Sequence, residues 1–462
     1  MKKIRIKEIV KAVKGDCPCG DPDIFVSGVS TDSRTAGSGM IFFALTGERF
    51  DGHYFLENAI EAGCSAVAVS KISGAFIAHA ANKGVAVITV DDTLKALQDL
   101  AAYYISLFDI YKIGVTGSTG KTTTKEMLYW ILSEKYKTVR NIGNFNNQIG
   151  LPLTIFSIDE TTEAAVFEMG MDRPGEIHRL VEIVRPNAGV ITNIGLSHIK
   201  HLGSRENILK AKLEIADFFT KENKLVVNCD NDMLSNAQYQ GKYTLIKAGF
   251  SDEADYRISG IRDSGENGIG FKLISESESC EIQISTPGVH NASNAALAAA
   301  AAGCAGIDMK TSVKGLAKLS YTDKRLHIEE RNGIKIIDDT YNASPDSMRA
   351  AINVLVSVQG GRKIAILGDM FELGEKEEEY HFEIGEYSSL AGVDVVISVG
   401  KNARQISMGA RSKGTKAIHF ETKDLLSGVL AQWIRTGDTV LVKGSRGMAM
   451  DEIVKQLLKA GE

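Results

Sequence analysis

No stretch of eighteen apolar residues occurs anywhere in the 462-residue chain, so a helical membrane span is not expected. A long basic run is also missing, and the net charge is −5. Nucleic acid is therefore not expected as a partner, whereas an acidic, phosphorylated substrate is compatible with a locally basic site. There are only seven prolines and no long polar linker, short repeat or low-complexity tract. Connections between domains should then be short and hinge-like. Cysteine is sparse and scattered, at Cys17, Cys19, Cys64, Cys229, Cys280 and Cys304. Met1-Lys-Lys leads into an amphipathic helix pattern instead of the apolar segment of a secretory leader. A reducing, cytoplasmic setting with free thiols is expected. Cys17-Pro-Cys19 is too short for a zinc pair and lacks a second pair, so it reads as a loop.

What is present is an ordinary globular composition, 44% apolar and 24% charged. At roughly 150 residues per domain, the length suggests about three domains. Strand and helix patterns alternate almost throughout, so the expected class is α/β with parallel sheets. Early strands are read at DIFVSGVS, MIFFALTG, SAVAVS and VAVITVDD, with a helix near HYFLENAIEAG. A boundary is placed near residue 92, before the helical pattern LKALQDLAAYYISLF. A second is placed at 320/321, where a regular β–α series begins at IKIIDD. The expected domains are thus 1–92, 93–320 and 321–462.

The most informative stretch is GVTGSTGKTTTKEM, Gly114 to Met127. An apolar strand runs into glycines, a Lys-Thr pair and a helix. Backbone N–H groups of such a loop, with the helix N-terminus, bind phosphate oxygens. Gly117, Ser118, Thr119, Gly120 and Thr123 would form the cradle, Lys121 would reach the outer phosphates, and Thr122 would hold Mg²⁺. Val115 stands where the common pattern has its first glycine. The loop implies a nucleoside triphosphate, and by itself it does not separate motors, switches and ligases.

Two later strands also end in polar groups, where open α/β sheets place ligands. AAVFEMG is apolar until Glu168, and GVITNIG reaches Asn193 and then His198. A carboxylate and an imidazole there suit Mg²⁺ or phosphate positioning. His198 and His201 have a metal-like spacing, but with no carboxylate nearby in sequence they make a weak zinc signal. In RENILKAKLEIADFF, Ile208, Lys212, Ile215 and Phe219 share one helix face. Lys212 either snorkels its ammonium to water or has a depressed pKa. A neutral amine there can take up CO₂ as a carbamate. Asn291 and Asn294 open an alanine-rich helix, either as caps or as readers of a purine edge. Asp338-Asp339-Thr-Tyr341-Asn342 ends a strand of the last domain. Arg325, just ahead of it, is placed either in a surface salt bridge or at a γ-phosphate.

Taken in order, TGSTGKTT, FEMG, NIGxxH, AKxE, GxHNxxN and a C-terminal β–α domain resemble the Mur ligase family, and the resemblance spans nearly the whole chain. STDSR, FFALTGERFDGHYF, NFNNQIGLP, DDTYNASPDSMRAA, AILGDMFELG with a following His381, and VLVKGSRGM resemble the branch that joins D-alanyl-D-alanine to UDP-N-acetylmuramoyl-tripeptide. The resemblance implies an N-terminal α/β domain for the UDP-substrate, a central P-loop ATPase-like domain and a C-terminal Rossmann-like domain for the dipeptide. It implies ATP and two Mg²⁺ ions, with Lys121 and Thr122 at the β/γ-phosphates and first metal. Glu168, His198 and a carbamylated Lys212 would serve the second metal. Asn291 and Asn294 correspond to adenine contacts, and Arg325 and Asp339 to further nucleotide contacts. Ser33, Arg34, Thr46 and Gly47 correspond to the part that receives the UDP-sugar, and Asn146, Asn147 and Gln148 lie where the central domain meets it. Tyr341, Asn342, Lys443, Ser445 and Arg446 are candidates for the dipeptide. The expected partners are these two substrates, acting on a monomer. The expected reaction is amide formation through an acyl phosphate, with a nucleotide-driven switch as the rival.

Overall fold

The computed structural model describes residues 1–47, 50–319 and 324–459. The expected boundary at 320/321 lies outside the described residues. Three sheets carry the chain. The first has five strands in the order Asp16–Cys19, Ala86–Thr89, Ala66–Val69, Met40–Phe43 and Gly28–Ser30. All its pairings are parallel except that of Asp16–Cys19. The Cys17-Pro-Cys19 stretch is therefore an edge strand and not the expected loop. Proline is tolerated at an edge because its missing N–H costs no ladder bond there. All six cysteines are free.

Helix Thr93–Ile105 joins the first domain to the second. Asp92 caps it by accepting from Leu94 N and Lys95 N at 2.8 and 3.0 Å. Its buried face belongs to both domains. Tyr104 Oη accepts from Lys2 N at 2.6 Å and donates to Ile158 O at 2.6 Å. One hydrophobic cluster runs from Ile6 and Ile9 through Leu97 and Leu100 to Phe167 and Leu180, so the two domains share a core.

The central sheet has nine strands, beginning Thr138–Arg140, Ala164–Glu168, Tyr111–Thr116, Ala188–Ile191, Lys224–Asn228 and Thr244–Gly249. Pairing is parallel as far as Tyr256–Asp263, and then antiparallel through Ile269–Ile274 and Ser279–Ile284. The last strands were not expected from sequence, although apolar residues alternate along both Ile269–Ile274 and Ser279–Ile284. From strand Tyr111–Thr116 the chain crosses to one side of the sheet, and from Ala188–Ile191 to the other. A crevice opens at such a reversal, beyond the strands' carboxyl ends. The alanine-rich helix His290–Cys304 and helix Lys121–Leu132 cover one face. Small side chains let these helices approach closely.

The C-terminal sheet is parallel over Ile334–Asp339, Thr439–Lys443, Lys363–Gly368, Val395–Val399 and Lys416–Phe420. An antiparallel edge strand, His327–Arg331, is added. Helices cover both faces in two hydrophobic clusters, the expected doubly wound arrangement. Three α/β domains are thus present, as expected.

Candidate active site

The glycines of the phosphate loop are required by geometry. Gly117 and Gly120 adopt φ +150° and +78°. A Cβ at Gly117 would lie 1.8 Å from Thr192 Oγ1, and one at Gly120 would lie 2.5 Å from Asn294 Oδ1. The loop is tied to the next strand's end. Ser118 N donates to Asn193 O at 3.0 Å and Thr119 N to Asn193 Oδ1 at 2.8 Å. Lys121 Nζ donates to Gly117 O at 2.7 Å and to Ser118 O at 3.3 Å. Its donors thus rest on the loop's own carbonyls. Burial lowers its pKa, opposed by Glu168.

Glu168 ends the strand beside the loop, with Val115 as its register partner. Thr122 Oγ1 donates to its Oε2 at 2.8 Å, and Asn146 Nδ2 to its Oε1 at 2.7 Å. Asn141, not singled out from sequence, holds the backbone. It accepts from Glu168 N and donates to Glu168 O, both at 2.9 Å. Asn141 O in turn accepts from the buried Lys125 Nζ at 2.9 Å.

His198 lies 2.8 Å from Glu372 Oε2 and 3.1 Å from Asp172 Oδ1, both measured from Nδ1. The sequence shows His198 without a carboxylate neighbour; the fold supplies two, one from the C-terminal domain. Burial and Lys121 lower its pKa. His201 is exposed and outside this cluster.

Lys212 is on the expected face, in helix Arg205–Leu213 with Ile208 and Ile215 buried beside it. It does not snorkel: it is 1% exposed. Burial, and then Lys121, push its pKa well below the usual lysine range. Among the described residues no acid pairs with it.

Asn291 and Asn294 are buried beside the loop. Asn294 Nδ2 donates to Asn291 Oδ1 at 2.9 Å, and Asn291 Nδ2 to Pro287 O at 2.7 Å. His290 lines the cleft next to them, its pKa pushed down to about 4 by burial.

The C-terminal domain supplies the opposite wall. Asp339 and Lys443 are register partners at two strand ends and form an ion pair at 2.5 Å. Lys443 Nζ also donates to Asn342 O at 2.8 Å. The Arg325 guanidinium lies 3.8 Å from the Tyr341 ring centre, a cation–π stack, and among the described residues it makes no salt bridge.

One cleft of about 700 Å³ collects these groups. Ser118 to Thr123, Asn146 to Gln148, Glu168, His198, Asn291, Asn294, Arg325, Asp339, Tyr341, Asn342 and Lys443 all line it. Gly117 and Lys212 are not among its lining residues. Ser445 and Arg446 sit behind Asn342 and Phe371; Ser445 Oγ accepts from Phe371 N at 2.8 Å. Ser33, Arg34, Thr46 and Gly47 are outside it, on the N-terminal domain. Arg34 forks onto Asp32 at 2.6–3.1 Å, holding that carboxyl at about 2. Thr46–Gly47 is exposed and pairs antiparallel with Phe50–Asp51. Sequence reasoning missed Asn141, Asp172, Asp346 and Glu372. Asp346 and Glu372 fall within the DDTYNASPDSMRAA and AILGDMFELG stretches, whereas Asn141 and Asp172 carry no local signal.

The fold and cleft define a three-domain nucleotide-dependent enzyme. Family profiles match residues 25–105 (Mur ligase family, catalytic domain), 115–302 (Mur ligase middle domain) and 324–446 (Mur ligase, glutamate ligase domain). The chain belongs to the Mur ligase family. It is 42% identical, over 100% of its length and 99% of the relative's, to UDP-N-acetylmuramoyl-tripeptide–D-alanyl-D-alanine ligase of Bacillus subtilis strain 168. Among solved structures it resembles MurF from Acinetobacter baumannii, with 31% identity, TM-score 0.92 and 99% of each chain covered. It also resembles MurF ligase from Thermotoga maritima in complex with ADP, with 28% identity, TM-score 0.82, and 94% and 97% covered.

Proposed function

We propose that the chain is an ATP-dependent ligase that joins D-alanyl-D-alanine to UDP-N-acetylmuramoyl-tripeptide, giving the pentapeptide precursor of peptidoglycan, ADP and phosphate. The observation that carries this reading is the single cleft where the phosphate loop, Glu168 and His198 face Arg325, Asp339 and Lys443 from another domain. The relatives with that activity match over nearly the full chain.

In this reading, residues 1–92 hold the UDP-substrate through Ser33, Arg34, Thr46 and Gly47. Residues 93–320 hold ATP, and 321–462 hold the dipeptide near Tyr341, Asn342, Lys443, Ser445 and Arg446. The protein acts as a cytoplasmic monomer. Among the described residues no helix is long and apolar enough to cross a membrane. Asn146, Asn147 and Gln148 meet the UDP-substrate where it enters the cleft. Lys121 exchanges its bonds to Gly117 O and Ser118 O for phosphate oxygens, and the loop N–H groups complete the cradle. Asn291 and Asn294 read adenine, while Arg325 and Asp339 reach the nucleotide from the other wall.

The donor set fits a divalent cation: a hydroxyl, a carboxylate and an imidazole from Thr122, Glu168 and His198. Lys212 fits only with its charge removed, since an ammonium there would repel both the ion and Lys121. Its depressed pKa leaves a neutral amine able to add CO₂, and the resulting carbamate is a ligand of the right charge. Two Mg²⁺ ions so held would neutralise charge on the phosphates and on the reacting carboxylate.

The tripeptide carboxylate attacks the γ-phosphorus and ADP leaves, forming an acyl phosphate. The amine of D-alanyl-D-alanine adds to the acyl carbon, loses a proton and expels phosphate. Alignment of three substrates is the protein's main contribution, with closure of the last domain excluding water. The test is phosphate release from ATP and Mg²⁺ with mass detection of products. Phosphate is expected only when both substrates are present, mole for mole with pentapeptide. ATP turnover indifferent to both would favour a switch instead.

A further inference from the structure

The segment following strand Ala188–Ile191 is held from two sides. On one side is the phosphate loop: Gly195 N donates to Ser118 Oγ at 2.9 Å, and Ser197 Oγ to Ser118 O at 3.4 Å. On the other is the C-terminal domain. Leu196 N donates to Asp346 Oδ2 at 3.1 Å, Lys200 N to Glu372 O at 3.1 Å, and the Glu372 carboxylate meets His198 Nδ1. Gly195 makes the first of these contacts possible, since a Cβ there would lie 2.0 Å from Asp346 Oδ2.

A carboxylate only accepts. His198 Nδ1 must therefore carry the hydrogen, and in the neutral ring the lone pair is then on Nε2. That is how an imidazole is prepared to ligate a cation through its other nitrogen. Two carboxylates do this here, and they differ in origin. Asp172 belongs to the central domain, as His198 does. Glu372 arrives only with the C-terminal domain.

The loop bearing Glu372 is braced. His381 Nε2 accepts from Met370 N at 2.9 Å, Phe371 N donates to Ser445 Oγ at 2.8 Å, and Ala403 N donates to Asp369 Oδ1 at 2.6 Å. A braced loop delivers its carboxylate to a fixed place.

We propose that Glu372 is a positioning residue that sets the His198 tautomer when the C-terminal domain closes, with Asp346 seating the His198 segment against it. Closure and the readiness of His198 are then one event. This rests on His198 being a metal ligand.

The experiment uses full-length protein labelled with ¹⁵N-histidine, with ADP and the UDP-linked substrate present to favour closure. The ring nitrogen shifts report which nitrogen carries hydrogen; the His198 signals are those missing in H198A. Wild type is expected to be the Nδ1–H form, and E372A a mixture. E372A is also expected to lower kcat about 10–100-fold with KM for the UDP-substrate within about two-fold, and E372D to recover part of the loss. Asp346→Ala should shift the tautomer in the same direction by less. A pure Nδ1–H form in E372A, or unchanged turnover, means that Asp172 suffices and overturns the proposal. H198A tests the underlying reading separately: unaltered Mg²⁺ dependence there removes His198 as a ligand, whatever E372A does.

Discussion

Lys212 is the residue whose charge and surroundings conflict most. Its folded-state pKa is lowered by burial, so through the neutral range the unfolded chain binds a proton that the folded chain resists. The uncapped amine therefore costs stability at neutral pH, and the cost fades as pH rises toward the ordinary lysine value. Lys212→Met keeps the stem and drops the charge. It should raise Tm by about 2–4 °C, the shift produced by about 1 kcal/mol in a domain of this size, while abolishing ligation. Thermal unfolding and the phosphate assay together check this; a destabilised K212M would sink the account. A ¹³C-bicarbonate NMR signal from a carbamate, present in wild type and missing in K212M, would locate the modification. The apolar stripe around Lys212 was legible because helix periodicity is local. Whether the ammonium escaped to water was not, because that depends on what packs over it.

At the scale of single elements, the phosphate loop and the loop before His381 make opposite demands. Gly117 needs both its φ and its missing side chain. Gly117→Ala should weaken ATP binding by at least about tenfold, given the 1–3 kcal/mol typical of a strained backbone position, with little change in far-UV circular dichroism. Calorimetric titration with ATP measures it. His381 accepts a backbone N–H, so it must stay neutral, and burial lowers its pKa. The stability it contributes is present above about pH 6.5, the free histidine value, and is lost as pH falls toward the lowered folded value. His290 acts with the same sign down to about 4. In H381Q, where an amide oxygen replaces the acceptor, the fall in stability below pH 6.5 should be shallower. Urea midpoints measured across that range decide it; an unchanged slope would assign the effect elsewhere. The strand–loop–helix order around Lys121 was readable from its glycines. The edge strand at Cys17 was not, because a strand that pairs on one side only leaves little pattern in sequence.

Over the whole molecule, the antiparallel extension of the central sheet acts as a brace. Its turn at Gly265–Asn267 presents Glu266, whose Oε1 pairs with Lys335 Nζ at 2.5 Å and whose Oε2 accepts from Gln359 N at 3.0 Å. Both partners belong to the C-terminal domain. Glu266→Ala should loosen the domain arrangement and leave the nucleotide site intact. The radius of gyration from solution scattering should rise, with ATP affinity within about two-fold and kcat reduced, because alignment of three substrates is what closure supplies. Equal scattering curves for E266A and wild type would remove the brace from the account.

The class of fold and the nucleotide loop were legible along the chain. A strand, a glycine loop, Lys121-Thr122 and a helix are neighbours along the chain, and hydrogen bonding and periodicity act over a few residues. Which groups meet across the cleft was set by packing in three dimensions. Asp339 faces Lys443 because a strand from far along the chain inserts beside Ile334–Asp339. His198 gains Asp172 and Glu372, and Glu168 gains Asn141, through sheet order and domain apposition. Such contacts rest on packing between segments that share no local pattern, which is why candidate site residues could be named from the sequence and their partners could not.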